Sequence, residues 1–130
     1  MTHVLVIDDD AEIRTALQFI LEDAGYTLHC VEHGEAGLAF LRSHAEPMVV
    51  LLDVMMPRLD GPGMLRQIAE HEPHLAQKHA FILMTARERT LPLSLARLKT
   101  QMDIPLLGKP FDLDRLFLLV AQAAQRLPAP

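Results

Sequence analysis

Short apolar segments alternate along the chain with longer segments in which apolar residues recur every three or four positions. Segments of the first kind predict β-strands, and several lack polar alternation, which is typical of strands covered on both faces. The predicted strands are His3–Ile7, Thr27–Val31, Met48–Leu52, Ala80–Met84 and Ile104–Leu107.

The longer segments predict helices. Between the first two strands, apolar residues at helical spacing run from Ile13 to Ala24, and Gly25 follows as a helix stop. The other predicted helices are Glu35–Ser43, Gly61–His71, about Leu91–Gln101, and Asp112–Arg126 with Asp112 as its N-cap. Five strand-then-helix units predict an α/β fold, a doubly wound parallel sheet with helices on both faces.

Composition narrows the class of protein. A chain of 130 residues that is half apolar suits one domain with its own core. The net charge of -5 argues against a nucleic-acid partner, because phosphate binding needs clustered Lys and Arg. No apolar run approaches the length of a membrane span. The single cysteine, Cys30, and the absence of a signal-peptide pattern predict a cytoplasmic protein.

The seven histidines are scattered along the chain, so they do not present an obvious zinc motif. His71, His74 and His79 come closest to a metal cluster. Without Cys partners or a tight ligand spacing, we interpret them as solvated loop histidines.

Polar residues collect where predicted strands end, and the carboxyl ends of parallel strands meet at one edge of a sheet. Two carboxylates about 5 Å apart repel by roughly 3 kcal/mol at an effective dielectric near 20, so a cation or a proton is expected among them. An acidic group with a hydroxyl and an ammonium can hold a divalent ion and a phosphoryl group. The residues at this edge are Asp8, Asp9, Asp10, Asp53, Thr85 and Lys109.

Four motifs at these positions carry a specific resemblance: VLVIDDD, LLDVMMPRLDG, MTA and GKPF. With them in this order, the chain resembles a response-regulator receiver domain, the CheY-like phosphorylation module of two-component signalling. The resemblance implies a flavodoxin-like (βα)5 sheet with strand order 2-1-3-4-5. It assigns residues 1–126 to the receiver domain and 127–130 to a short tail, which suggests a stand-alone protein, although a receiver excised from a longer chain would look the same.

The resemblance also implies a chemical role for the acidic residues. Asp53 would accept a phosphoryl group from a phosphohistidine on a sensor histidine kinase or phosphotransfer protein. Mg²⁺, with Mn²⁺ as a substitute, would neutralise charge, and its ligands would be Asp9, Asp53 and the backbone carbonyl of Met55, with Asp8 acting mostly through water. Asp10 is interpreted as a helix N-cap.

The remaining residues of the resemblance concern the switch. Lys109 would pair with Asp53 before the reaction and with the phosphoryl group afterwards, and the peptide bond to Pro110 would be cis. Thr85 would bind the phosphoryl group and move inward. This movement would alter the face made by the fourth predicted helix, the fifth strand and the fifth predicted helix, and so control an unknown downstream protein or a homodimer.

Three positions suggest features particular to this chain. Leu106 stands where the family often has Tyr or Phe, and we predict that it joins an apolar output surface with Leu116–Val120, against the alternative that these residues fill a tight core. Met55 and Arg87 lie two residues beyond Asp53 and Thr85, and we predict that they tune the lifetime of the phosphoryl group.

Two other functions fit parts of the pattern. Asp8 and Asp10 form a D-x-D pair after a strand, which resembles the start of haloacid-dehalogenase-type phosphatases with Asp8 as nucleophile. That reading leaves Asp53 without a role. The second alternative is a phosphorylation-independent protein-interaction module on the same fold.

Overall fold

Five parallel strands form one sheet in the order β2-β1-β3-β4-β5. The computed structural model of the chain describes residues 1–86 and 93–129, with side chains at 1–86 and 96–129. The strands are β1 His3–Ile7, β2 Thr27–Val31, β3 Met48–Asp53, β4 Ala80–Thr85 and β5 Leu106–Gly108. Within the described part, the helices are α1 Ala11–Asp23, α2 Gly34–Ser43, α3 Gly61–His71, α4 Pro73–Lys78, α5 Leu93–Met102 and α6 Leu113–Arg126.

The predicted fold class and strand order are confirmed, with small corrections at β3, β4 and β5. The third and fourth strands each extend one residue further, so that they include Asp53 and Thr85. The fifth begins at Leu106 rather than Ile104, because Pro105 has no N–H to contribute to a strand ladder. Its carbonyl still accepts the Leu83 N–H at 3.0 Å.

The short helix α4 was missed, because six residues are too few to show a helical period. It begins directly after Glu72, with Pro73 in its first turn, where a missing N–H costs nothing. The start of the fourth predicted helix, residues 91–92, lies outside the described residues.

His79 corrects the interpretation of solvated loop histidines. Its side chain is only 5% exposed, and its Nδ1 accepts the Met48 N–H at 3.0 Å, linking the chain before β4 to the start of β3. Burial, together with Lys78, lowers the pKa of His79 to about 4. His71 and His74 are exposed, as the sequence predicted.

The core lies on both faces of the sheet, which explains the strands without polar alternation. Leu5 and Ile7 pack toward α2 and α3, whereas Val4 and Val6 pack toward α1 and α6. All residues of β3 are buried. Burying a Leu or Val side chain contributes roughly 1.5–3 kcal/mol, so this central strand anchors the acidic edge at its end.

The predicted output surface around Leu106 is not formed. Leu106 is 8% exposed and belongs to the core cluster on the α3 and α5 side of the sheet, so its prediction as a surface residue is wrong. Leu116, Leu119 and Val120 are also buried. Of the run in α6, Leu118 is 53% exposed, so the alternative of a tight core holds for most of it.

The predicted N-caps Asp10 and Asp112 are confirmed. Asp10 caps α1, its carboxylate accepting the N–H groups of Glu12 and Ile13 at 2.9 and 3.4 Å. Gly25 follows α1 with a positive φ of 99°, a conformation that suits glycine. Among the described helices, none combines the length and the apolar character needed to cross a bilayer.

Candidate functional site

The ends of four strands bring the predicted polar residues to one edge of the sheet. Asp53 lies beside Met84 in the register of β3 and β4, and Thr85 lies beside Gly108 in β4 and β5. Asp8 follows Ile7, whose partner in β3 is Leu52. The parallel register therefore places Asp8 next to Asp53, although 44 positions separate them in the chain (53 − 8 − 1).

These residues enclose a cavity of about 220 Å³. Asp8, Asp53 and Thr85 are at most 6% exposed, whereas Asp9 is exposed at its mouth. The cavity has room for an ion together with a phosphoryl group. Its lining residues are Asp8, Asp9, Asp10, Asp53, Met55, Thr85, Ala86 and Lys109.

The ammonium of Lys109 bridges the two buried carboxylates. Its Nζ lies 2.8 Å from Asp8 Oδ2 and 3.2 Å from Asp53 Oδ1, so the lysine pairs with Asp8 more closely than with the predicted partner. Its backbone N–H donates to the carbonyl of Thr85 at 2.8 Å. The peptide bond between Lys109 and Pro110 is cis, as the resemblance implies.

The pKa values of Asp53 and Lys109 are both raised above their usual values. Burial and the neighbouring Asp8 raise the pKa of Asp53 to about 6, against the opposing effects of Lys109 and of a hydrogen bond from the Met55 backbone. Burial disfavours the charged form of Lys109, but its hydrogen bond to Asp8 and the charge of Asp53 raise the pKa of the ammonium above its usual value. At neutral pH, Asp53 is therefore an ionised carboxylate of unusual basicity.

The turn after β1 is held by its own hydrogen bonds. The Asp10 N–H donates to Asp8 Oδ1 at 2.9 Å, and Arg14 Nη1 donates to the carbonyl of Asp8 at 2.8 Å. Arg14 also lies 3.7 Å from Glu32. Sequence reasoning missed Arg14, since an arginine in a helix gives no sign of the loop it will reach.

Gly61 is a second residue whose contribution the sequence did not reveal. A Cβ at this position would come within 2.5 Å of the Asp53 carbonyl oxygen. Its N–H donates to the carbonyl of Val54 at 3.3 Å. The absence of a side chain thus lets the start of α3 pack directly on the segment that carries Asp53.

The carboxylates form a set suited to a hard divalent cation. Ligand oxygens of Asp8, Asp9 and Asp53 lie within 4.8 Å of one another. Three carboxylates and one ammonium leave two negative charges at this edge (−3 + 1 = −2), which a divalent cation balances. Oxygen donors in this number favour Mg²⁺ or Mn²⁺ over softer metals. The set therefore fits the predicted ion.

Of the two residues predicted to tune the phosphoryl lifetime, the structure describes Met55. Met55 lines the cavity, and its side chain is exposed: the residue as a whole is 70% accessible. Arg87 lies outside the described residues.

Fold and site together define an α/β domain with an acid-lined cavity at the carboxyl edge of its parallel sheet, and comparison with known proteins agrees. The chain belongs to the response regulator receiver domain family, whose family model matches residues 4–121. The alternative that the chain is a haloacid-dehalogenase-type phosphatase is therefore not favoured.

Relatives of known name are larger proteins. The chain is 38% identical over 120 residues to the DNA-binding transcriptional regulator NtrC of Salmonella typhimurium strain LT2, covering 92% of this chain and 24% of NtrC. It is 32% identical to the regulatory protein AtoC of Escherichia coli strain K12, covering 96% of this chain and 26% of AtoC. The chain thus spans about a quarter of the length of these two relatives.

A solved structure shows the same fold. The CheY-like response regulator receiver domain protein from Methanospirillum hungatei JF-1 matches with a TM-score of 0.82 at 30% identity, covering 95% of this chain and 94% of that one.

Proposed function

We propose that this chain is a cytoplasmic phosphorylatable receiver that accepts a phosphoryl group on Asp53 from a phosphohistidine of a partner kinase or phosphotransfer protein. The observation that carries the proposal is the contact of Lys109 with both Asp8 and Asp53, 2.8 and 3.2 Å away, inside an acid-lined cavity. Receiver-family membership supports the class of reaction. Residues 1–126 would form the receiver domain and 127–130 a short tail.

The transfer step follows from the environment of Asp53. An oxygen of its carboxylate attacks phosphorus, the phosphorus–nitrogen bond of the phosphohistidine breaks, and the electron pair leaves with the imidazole nitrogen of the donor. With a pKa of about 6, Asp53 is about nine-tenths ionised at pH 7, so the nucleophile is present without a separate base. Burial keeps this carboxylate poorly hydrated and hence reactive.

Charge at the transferring group is balanced by Lys109 and a divalent cation. Lys109 would release Asp53 and bind a phosphoryl oxygen while keeping its contact with Asp8. Asp9, Asp53 and the Met55 carbonyl would hold Mg²⁺, with Asp8 acting through water, and the ion would supply electrostatic stabilisation when bound. Thr85, buried at the cavity wall, would donate its hydroxyl hydrogen to the phosphoryl group.

A groove beside the cavity marks the surface that a protein donor covers. This donor groove, of about 490 Å³, is continuous with the site because both are lined by Asp10, Ala86 and Lys109. Ile13 and Phe111 contribute apolar side chains to it. Because this groove adjoins the cavity, a partner that brings a phosphohistidine to Asp53 would lie across it, and apolar side chains of the partner would pack on Ile13 and Phe111.

The donor groove can be tested separately from the chemistry. Ile13→Glu should reduce phosphorylation by a cognate kinase at least about tenfold, since a charge must then be desolvated at the interface. Acetyl phosphate is too small to need the donor groove, so it should phosphorylate Ile13→Glu and the unsubstituted protein at the same rate. Phe19→Glu, at a 76% exposed position of α1 outside the donor groove, is the matched control and should leave both reactions unchanged.

Output would pass from the cavity through β4 and β5. The Lys109 N–H binds the Thr85 carbonyl, and Arg115 Nη2 of α6 donates to the carbonyl of Leu106 at 2.8 Å. A shift of Thr85 and Lys109 toward a phosphoryl group would therefore reposition β5 and α6 as packed bodies. A homodimer through the α5–β5–α6 face stays a prediction.

The decisive experiment is incubation with acetyl phosphate, with and without Mg²⁺, followed by intact-mass measurement. We expect one added phosphoryl group that depends on Mg²⁺ and is absent in Asp53→Asn. A phosphoryl group that persists in Asp53→Asn and disappears in Asp8→Asn would instead support an Asp8 nucleophile. No addition to any variant, even with a kinase, would favour the phosphorylation-independent interaction module.

A further inference from the structure

Three histidines meet on the face of the sheet covered by α2, away from the acidic cavity. His3 and His29 lie on adjacent strands, where His3 pairs with Thr27 and Leu5 pairs with His29. The two histidines are therefore diagonal neighbours whose side chains share one face. His44 follows the last residue of α2 and lies beside them.

Nitrogen atoms of this histidine cluster already approach one another. His3 Nδ1 lies 3.1 Å from His29 Nε2, and the two rings are stacked with centroids 5.4 Å apart. The ring of His44 lies with its centroid 5.9 Å from that of His29. A single proton shared between two imidazoles is the arrangement that a cation can replace, since both nitrogens then become ligands.

The surroundings of His44 leave one of its nitrogens available. Its Nδ1 lies 2.9 Å from the carbonyl oxygen of Phe40, which can only accept a hydrogen bond, so Nδ1 carries the proton. Nε2 then keeps its lone pair. A backbone carbonyl that holds the far N–H of a ring is the usual support of a metal-binding histidine.

Charge and exposure also suit a metal ligand set. Burial and the neighbouring imidazoles of His3 and His44 lower the pKa of His29, an effect that Glu46 partly opposes, so its neutral form is favoured. All three histidines are half-buried and can be reached from solvent.

We propose that His3, His29 and His44 form a binding site for a zinc-class divalent cation, which displaces the proton between His3 and His29 and draws the His44 ring toward it. The ring movement is needed because the nitrogen atoms of the three histidines do not yet lie close enough together. Among the described residues, the carboxylates of the acidic cavity are the group of three whose ligand atoms already lie within 4.8 Å of one another. Zn²⁺ binds well to the nitrogen donors of the histidine cluster, whereas Mg²⁺ binds better to the carboxylate oxygens of the acidic cavity. The cation would tie β1, β2 and the end of α2 together.

The test is calorimetric titration with Zn²⁺ in excess Mg²⁺, which occupies the acidic cavity. We expect one Zn²⁺ per chain. His3→Gln, His29→Gln and His44→Gln should each weaken binding at least about tenfold, since loss of even an outer-shell partner costs about 10–100-fold. His71→Gln, at an exposed histidine of α3, and Asp9→Asn, in the acidic cavity, should bind Zn²⁺ as the unsubstituted protein does.

Several results would overturn the site. If any of the three cluster variants binds Zn²⁺ with full affinity, the substituted histidine is not a ligand. If Asp9→Asn loses Zn²⁺ binding, the ion lies in the acidic cavity instead. Co²⁺ added to the unsubstituted protein in excess Mg²⁺ gives a check that needs no variant: intense visible absorption supports nitrogen ligation at low coordination number, and the absence of intense absorption contradicts it.

Discussion

Replacing Asp53 by Asn should stabilise the metal-free protein at neutral pH. The pKa of Asp53 rises from 3.8 to about 6, chiefly through burial and the charge of Asp8. A rise of about two pKa units corresponds to about 3 kcal/mol by which folding disfavours the charged carboxylate. The amide of Asn has nearly the same shape and carries no charge. We therefore expect a gain of roughly 1–3 kcal/mol in the free energy of unfolding at pH 7.5.

The gain has a defined pH window. Between about pH 4 and 6, the folded protein keeps a proton on Asp53 that the unfolded chain has released. The contribution of Asp53 to stability thus falls as pH rises through this window, and the advantage of Asp53→Asn grows with it. Below pH 4 both states of the wild type are protonated, and little difference should remain. The titration of His79 has the opposite effect on stability and cancels because both proteins contain it.

Urea unfolding followed by circular dichroism at pH 4.5 and 7.5, in EDTA, measures this difference. Asp23→Asn, at an exposed carboxylate near the end of α1, is the matched control and should lie within about 0.5 kcal/mol of wild type at both pH values. Adding Mg²⁺ should stabilise wild type more than Asp53→Asn, because one carboxylate ligand is missing. A variant no more stable than wild type at pH 7.5, or a gap independent of pH, would refute the reasoning.

Three further changes test other contacts. Lys109→Met leaves Asp8 and Asp53 buried without their cation and should destabilise the metal-free protein by about 3 kcal/mol in urea unfolding, with partial recovery in Mg²⁺; unchanged stability would contradict the bridging role. Met55→Ser should change the rate at which phosphorylated protein loses its phosphoryl group, measured by intact mass over time, and an unchanged rate would remove Met55 as a tuning residue. In an NMR titration, His79 should stay neutral down to about pH 5, and ordinary titration near pH 6.5 would show that its burial is not maintained.

Residues at strand ends were the most predictable part of the site. Asp8, Asp9, Asp53, Thr85 and Lys109 each follow an apolar segment, and the shared edge of a parallel sheet brings such positions together whatever loops join them. The N-caps Asp10 and Asp112 were predictable for a similar reason, since the carboxylate that satisfies the first N–H groups of a helix lies next to them in sequence.

Contacts between distant segments were not predictable in this way. The sequence marked Leu106 as surface and His79 as solvated, yet both are buried, because burial depends on which helices cover a position. The stacking of His3 on His29 likewise required the register of two strands.

The sequence by itself determined the five strands, the helices between them other than α4, and the acidic edge, because apolar periodicity and strand-end polarity act through local geometry. Tertiary structure alone decided that Lys109 lies between Asp8 and Asp53, and that burial makes Asp53 a basic carboxylate. Distances and desolvation arise only when segments far apart in the chain pack against one another, and they set the electrostatic energies of the site.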